Sequence, residues 1–221
     1  MKSNLDWKIE ESKRVIDFAL NKWKQNCGIA FTGRKDSTVL VSLIRRETSE
    51  IPKVMFIDHG KHFPESISHI NKVVTLWHLN MEWMKDERII RKIKYSKGET
   101  TQDLMNNYKI EMIRKAVTEN GWGALFTAIR WDEHPARKQE MYFSQRSDHV
   151  RVHPLLHWTE EDIWRYIREN DIPYNPMYDM GYRSLEEIGT EKVKFIRESE
   201  RSGRKGDKEQ IMERLRKLGY F

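Results

Sequence analysis

A doubly wound α/β fold on a mostly parallel, five-stranded sheet is what this 221-residue sequence predicts. Three observations carry the expectation. Short apolar runs at Ile29–Phe31, Val54–Ile57 and Ala124–Ile129 read as strands buried on both faces. Between them lie longer stretches with apolar residues at helical spacing. Polar clusters follow three of the strands, at Thr32–Ser37, Asp58–Gly60 and Arg130–Glu133, where an open α/β sheet collects its ligands.

The elements follow in order. Residues 5–25 place Trp7, Val15, Ile16, Ala19, Leu20 and Trp23 on one helical face. Residues 28–32 form the first strand, and a helix runs from Ser37 to about Glu47. Ile51-Pro52 leads into the second strand, Val54–Ile57. Pro64 suits the first turn of a helix that extends to Trp77. Residues 79–84 alternate as a third strand, whereas 86–107 read as polar and irregular. A helix over Tyr108–Glu119 stops at Asn120-Gly121, a strong terminator. Strands at 124–129 and Arg151–His153 complete the sheet, and Thr159 caps a helix reaching Glu169. Residues 1–180 make one α/β domain, and 181–221 read as a charged helical tail.

Composition narrows the function. Forty Lys and Arg stand against 34 Asp and Glu, a net charge of +6 interleaved along the chain. That balance suits a small anion; no basic tail or aromatic-basic pattern argues for nucleic acid. No run of about 18 apolar residues offers a membrane span. The opening residues lack the apolar core of a secretory signal, so a cytoplasmic location is expected. Cys27 is the single cysteine, which leaves no basis for an iron–sulfur cluster or a structural zinc site. His59, His62, His69 and His78 do not form a zinc pattern either, and no metal-ligating residue is assigned.

The densest chemistry lies in Cys27-Gly-Ile-Ala-Phe-Thr-Gly-Arg-Lys-Asp-Ser-Thr38. A strand, a tight polar turn and a helix start bring unpaired backbone N–H groups and about half a positive charge to one point. Lys35 adds a full charge, and Ser37 and Thr38 add hydroxyls. A phosphate is the natural occupant. The spacing is neither the Walker loop nor the dinucleotide fingerprint.

The loop resembles the Ser-Gly-Gly-x-Asp-Ser signature of the ATP pyrophosphatase (PP-loop) superfamily, with Thr32 for serine and Arg34 for the second glycine. The resemblance implies an adenine nucleotide alpha-hydrolase-like fold, with Thr32, Gly33, Arg34, Lys35, Asp36 and Ser37 cradling phosphates and Asp58 contacting nucleotide. Phe56–Glu65, Ala128–Arg137 and Pro154–Trp164 are similar to segments shared by two branches, the ATP sulfurylase small subunit and the sulfonucleotide reductases. Arg130 and Arg137, suited to bidentate anion binding, join Lys35 as candidate catalytic residues, while Trp131 stands where both branches carry a second arginine.

Asn175–Tyr182 is similar to the reductase branch. Ser199-Glu-Arg-Ser-Gly-Arg204 and Gly219-Tyr-Phe221 resemble the sulfurylase ending, and no cysteine occupies the reductase Glu-Cys-Gly position. On this basis the expectation is sulfate adenylyltransfer: a sulfate oxygen attacks the α-phosphorus of ATP, giving adenylyl sulfate and pyrophosphate. The resemblance further implies Mg²⁺ and a GTPase large subunit, and homo-oligomerisation stays open. The alternatives are a reductase-like protein that binds adenylyl or phosphoadenylyl sulfate and uses an external thiol, AMP transfer to another acceptor, and nucleotide binding without catalysis.

Overall fold

The structure is a computed structural model and describes residues 4–97 and 99–185, with Glu200, Met212 and Leu215. Short apolar runs bounded by turns become the strands: β1 (Cys27–Ala30), β2 (Lys53–Ile57), β3 (Met81–Met84), β4 (Ala124–Phe126), β5 (Phe143–Gln145) and β6 (Val150–Val152). They join in the order β3-β2-β1-β4-β6-β5. Every neighbouring pair is parallel except β5 with β6. The expected doubly wound class therefore stands, with six strands rather than five. The added strand, β5, turns back through Arg146, whose N–H donates to the His149 carbonyl at 2.9 Å, and sets Ser144 opposite Arg151. Its three residues, with one buried, carry too short an alternation to be legible beforehand.

The chain leaves β1 in one direction toward β2 and β3, then crosses back to β4 on the other side. The gap between the ends of β1 and β4 is thus the topological switch point, where loops on opposite faces part and leave a crevice.

Helices α1 (Asn4–Trp23), α2 (Lys35–Glu47), α3 (Pro64–Trp77) and α6 (Glu160–Glu169) lie where the spacing predicts them, within a residue or two at the ends. Residues 86–107 do not. They hold α4 (Glu87–Tyr95) and the first half of α5 (Glu99–Asn120). Asp86 starts α4 by accepting from the N–H groups of Arg88 and Ile89, at 2.9 and 3.3 Å. Met105, Tyr108, Met112 and Ala116 of α5 recur every three or four residues and are all buried, a stripe hidden by the polar residues between them.

Alternation along the strands divides the core. Ile29, Phe31, Val54, Phe56 and Phe126 pack among residues of α1, α2, α3 and α6. Met55 and Leu125 point the other way, into Ile93 of α4 and the α5 stripe. Gly28 on this second face has Trp122 against it; a Cβ there would come within 2.4 Å of the ring. Most of the expected tail lies outside the described residues, including the sulfurylase-like ending apart from Glu200. Met212 and Leu215 are helical and buried with Ile129, Ala136 and Leu156.

Candidate functional site

The turn after β1 is built by its sequence. Gly33 takes φ +65, which favours glycine, and a Cβ there would meet Ile70 of α3 at 2.4 Å. Arg34 has an ordinary extended backbone, φ −87 and ψ 159, so its lack of a glycine's freedom costs nothing. Ser37 Oγ donates to the Arg34 carbonyl at 3.0 Å and accepts from the Thr32 N–H at 3.3 Å, closing the loop over the start of α2. Arg34 Nε donates to Thr32 Oγ1 at 3.1 Å, and its Nη1 to the Leu185 carbonyl at 3.1 Å.

A cleft opens above this turn along the carboxyl ends of β1, β2 and β4. Thr32, Arg34, Lys35, Asp36, Ser37 and Arg137 line it, as do Glu133 and Glu200. Of the expected site residues, the structure thus gathers six at the cleft wall and places Gly33 beneath them. Two stand apart from that wall. Asp58 Oδ1 accepts from the Gly60 N–H at 2.8 Å and so caps its own turn. Arg130 is wholly buried, with Nε donating to Asp132 Oδ1 at 2.9 Å and its other nitrogens against Asp36 and Glu200. Burial opposes the charge of Arg130, but the carboxylates of Glu200 and Asp132 overcome that and raise its pKa.

Glu200 is the centre of the electrostatics. Its carboxylate contacts both Lys35 Nζ and Arg130, while Arg137 pairs with Glu133. Lys35, 1% exposed, also donates to the Arg183 carbonyl at 3.1 Å and lies 3.8 Å from Asp36 and from Glu160. A carboxylate of the chain therefore sits on Lys35, the cation at the start of α2. Asp36, Glu133 and Glu200 offer oxygens within 4.8 Å of one another, but each carries an arginine or lysine partner, so the group is balanced without a cation.

Several lining residues had no separate signal in the sequence. Tyr178 accepts from the Lys35 N–H at 3.2 Å, and its ring lies 5.4 Å from Lys35 Nζ. It arrives on a 3₁₀ turn, Pro176–Tyr178, inside the segment that resembles the reductase branch. Lys109 of α5 and Arg151 of β6 also reach the cleft. Burial, then the nearby Arg146 charge, pushes the Arg151 guanidinium down to about 9. His59 and His62 line the cleft with ring centres 3.7 Å apart; burial, then Lys109, lowers His62 to about 4. Trp131 turns away, donating from Nε1 to the Glu140 carbonyl at 2.9 Å. Cys27 is buried in β1, where desolvation raises its thiol to about 11.

With this geometry, similarity to known proteins can be weighed. The family described as the phosphoadenosine phosphosulfate reductase domain matches residues 26–190. The phosphoadenosine 5'-phosphosulfate reductase of Xanthomonas axonopodis pv. citri (strain 306) is 27% identical over 187 residues, covering 79% of this chain and 75% of that protein. The protein of the same name from Xylella fastidiosa (strain M12) is 29% identical over 161 residues, covering 70% and 68%. Among solved structures, phosphoadenylyl-sulfate reductase from Candida auris in a phosphate complex aligns with a TM-score of 0.69 at 21% identity, covering 87% of this chain and 98% of that one. Candida glabrata FMN adenylyltransferase with FAD and pyrophosphate gives 0.67 at 18%, covering 84% and 63%. These last two show a shared fold.

The expectation of an ATP sulfurylase small subunit, and with it of a nucleotidyltransferase, is corrected by these matches. Its support lay in the residues after 198, whereas the loops around the cleft are common to both branches. The Asn175–Tyr182 segment, which resembled the reductase branch, supplies the tyrosine against Lys35. Across residues 26–190, about three quarters of its length, this chain belongs to the phosphoadenosine phosphosulfate reductase domain family.

Proposed function

We propose that the chain binds a sulfonucleotide, adenylyl sulfate or phosphoadenylyl sulfate, and supports its reduction by a thiol supplied from outside. The observation that carries this is a site of the reductase family with no usable thiol of its own. Cys27 is the single cysteine, and it is buried in β1 with its pKa raised. The 5′-phosphosulfate lies over Thr32–Ser37 at the start of α2, with Lys35 and Arg137 as its counter-charges.

The external thiolate attacks the sulfur of the sulfo group. An S–S bond forms, the S–O bond to the phosphate breaks, and its electron pair leaves on the nucleotide as a phosphate oxygen. A second thiol then attacks the bridging sulfur, giving a disulfide and sulfite; the dithiol supplies two electrons. Positioning, together with charge stabilisation at the departing phosphate by Lys35, Arg137 and backbone N–H groups, supplies the catalysis. Mg²⁺, ATP and a GTPase partner were expected for the sulfurylase reaction, and no step of the reduction written here draws on them. The requirement for a reduced dithiol implies a cytoplasmic setting.

The test is sulfite release from each sulfonucleotide with dithiothreitol or thioredoxin, alongside calorimetry with adenosine 3′,5′-bisphosphate. Thiol-dependent sulfite from one substrate is expected. Absence of both sulfite and nucleotide binding would sink the proposal.

A further inference from the structure

Beside the cleft, three side chains form a chain that the reduction above leaves unused. Thr127, just after β4, lines the cleft, and its Oγ1 lies 2.6 Å from His153 Nδ1. His153 is wholly buried, with Nε2 facing Glu140 Oε2 at 3.5 Å. Glu140 is buried too, and its Oε2 accepts from Arg146 Nη2 at 2.9 Å.

Proton placement follows from these partners. Burial would raise the Glu140 pKa, but the facing His153 ring, the Ser144 hydroxyl and the Arg146 guanidinium hold it well below the carboxylate range. Glu140 is therefore an acceptor, and Nε2 carries the imidazole proton. Burial pushes His153 down to about 4, so the ring is neutral near pH 7 and its Nδ1 must accept. Thr127 then donates its only hydroxyl proton to His153. Its oxygen lone pairs are what it can present to the cleft.

We propose that Thr127 Oγ1, held as an acceptor by His153 and Glu140, reads a hydrogen-bond donor on the nucleoside: the adenine amine or a ribose hydroxyl. The inference rests on the sulfonucleotide reading for the ligand class, and it makes Thr127 a specificity residue with His153 as its positioning residue.

The experiment compares adenosine 3′,5′-bisphosphate with its inosine and 2′-deoxy analogues by calorimetry, on the unaltered protein, Thr127→Ser and Thr127→Val. The inosine analogue removes the amine donor and the deoxy analogue a ribose donor. On the unaltered protein one of the two should bind about tenfold more weakly or worse, the effect of one lost buried hydrogen bond. Thr127→Ser should keep that discrimination. Thr127→Val, measured below the onset of its own unfolding, should bind parent and analogue alike at the weaker level. Equal binding of all three nucleotides by the unaltered protein overturns the inference and leaves the sulfonucleotide reading standing; so does discrimination that survives Thr127→Val. Failure of the parent nucleotide to bind removes both.

Discussion

Lys35 and Arg130 are buried cations whose common partner, Glu200, comes from more than sixty positions downstream. An anionic ligand at the turn must compete with that carboxylate. Lys35→Ala should weaken adenosine 3′,5′-bisphosphate roughly 10- to 100-fold, the loss of one charge-assisted hydrogen bond, as read by calorimetry. Glu200→Gln should do the reverse, tightening the same ligand about 3- to 10-fold by removing a competing charge. The same change should lower the melting temperature, because it strips a partner from buried cations. Weaker binding by Glu200→Gln would show that the carboxylate supports the ligand rather than opposing it. Lys35, Asp36 and Ser37 were legible beforehand, since their spacing after a strand defines an anion loop. Lys109 and Arg151 were not, because nothing local marks a residue that distant chain segments bring to a cleft. Arg130 was expected to bind an anion at the cleft, yet its carboxylate partners hold it behind the cleft wall.

The turn between β1 and α2 depends on one backbone position. Gly33→Ala would force a side chain into positive φ and against Ile70, costing about 1–3 kcal/mol. Denaturant unfolding should show that loss, and nucleotide binding should weaken with it because the N–H groups of the loop would shift. Helix α4 makes a second case. Asp86→Ala removes an acceptor from two N–H groups and should cost about 0.5–2 kcal/mol in the same measurement. Neither cap nor helix was read there, because the charges around α4 and α5 masked the apolar period behind them. Strands buried on both faces were plain, because their apolar runs have no competing pattern. The hairpin strand β5 was not, because three residues with one buried carry too short an alternation to be read.

His62, His69, His149 and His153 each have a pKa lowered to about 4, with burial the largest cause. In the unfolded chain an imidazole takes its proton near 6.5. The unfolded state therefore binds more protons between those values, and the stability from four neutral rings, full above about pH 6.5, is lost as the pH falls toward 4. Glu140 acts in the same direction at lower pH, since its folded pKa is also depressed. The melting temperature should drop between pH 7.5 and pH 5, and a flat profile there would contradict the burial of these rings. Alternating apolar runs and one strand-to-helix turn were enough, read along the chain alone, to establish the doubly wound class and the place of the loop after β1, because strand burial and a helix N-terminus are local properties. Which cations face the cleft, which carboxylate covers them and which hydroxyl meets His153 were decided by the tertiary structure, because opposite charges more than sixty residues apart meet only once β1 and β4 part at the switch point.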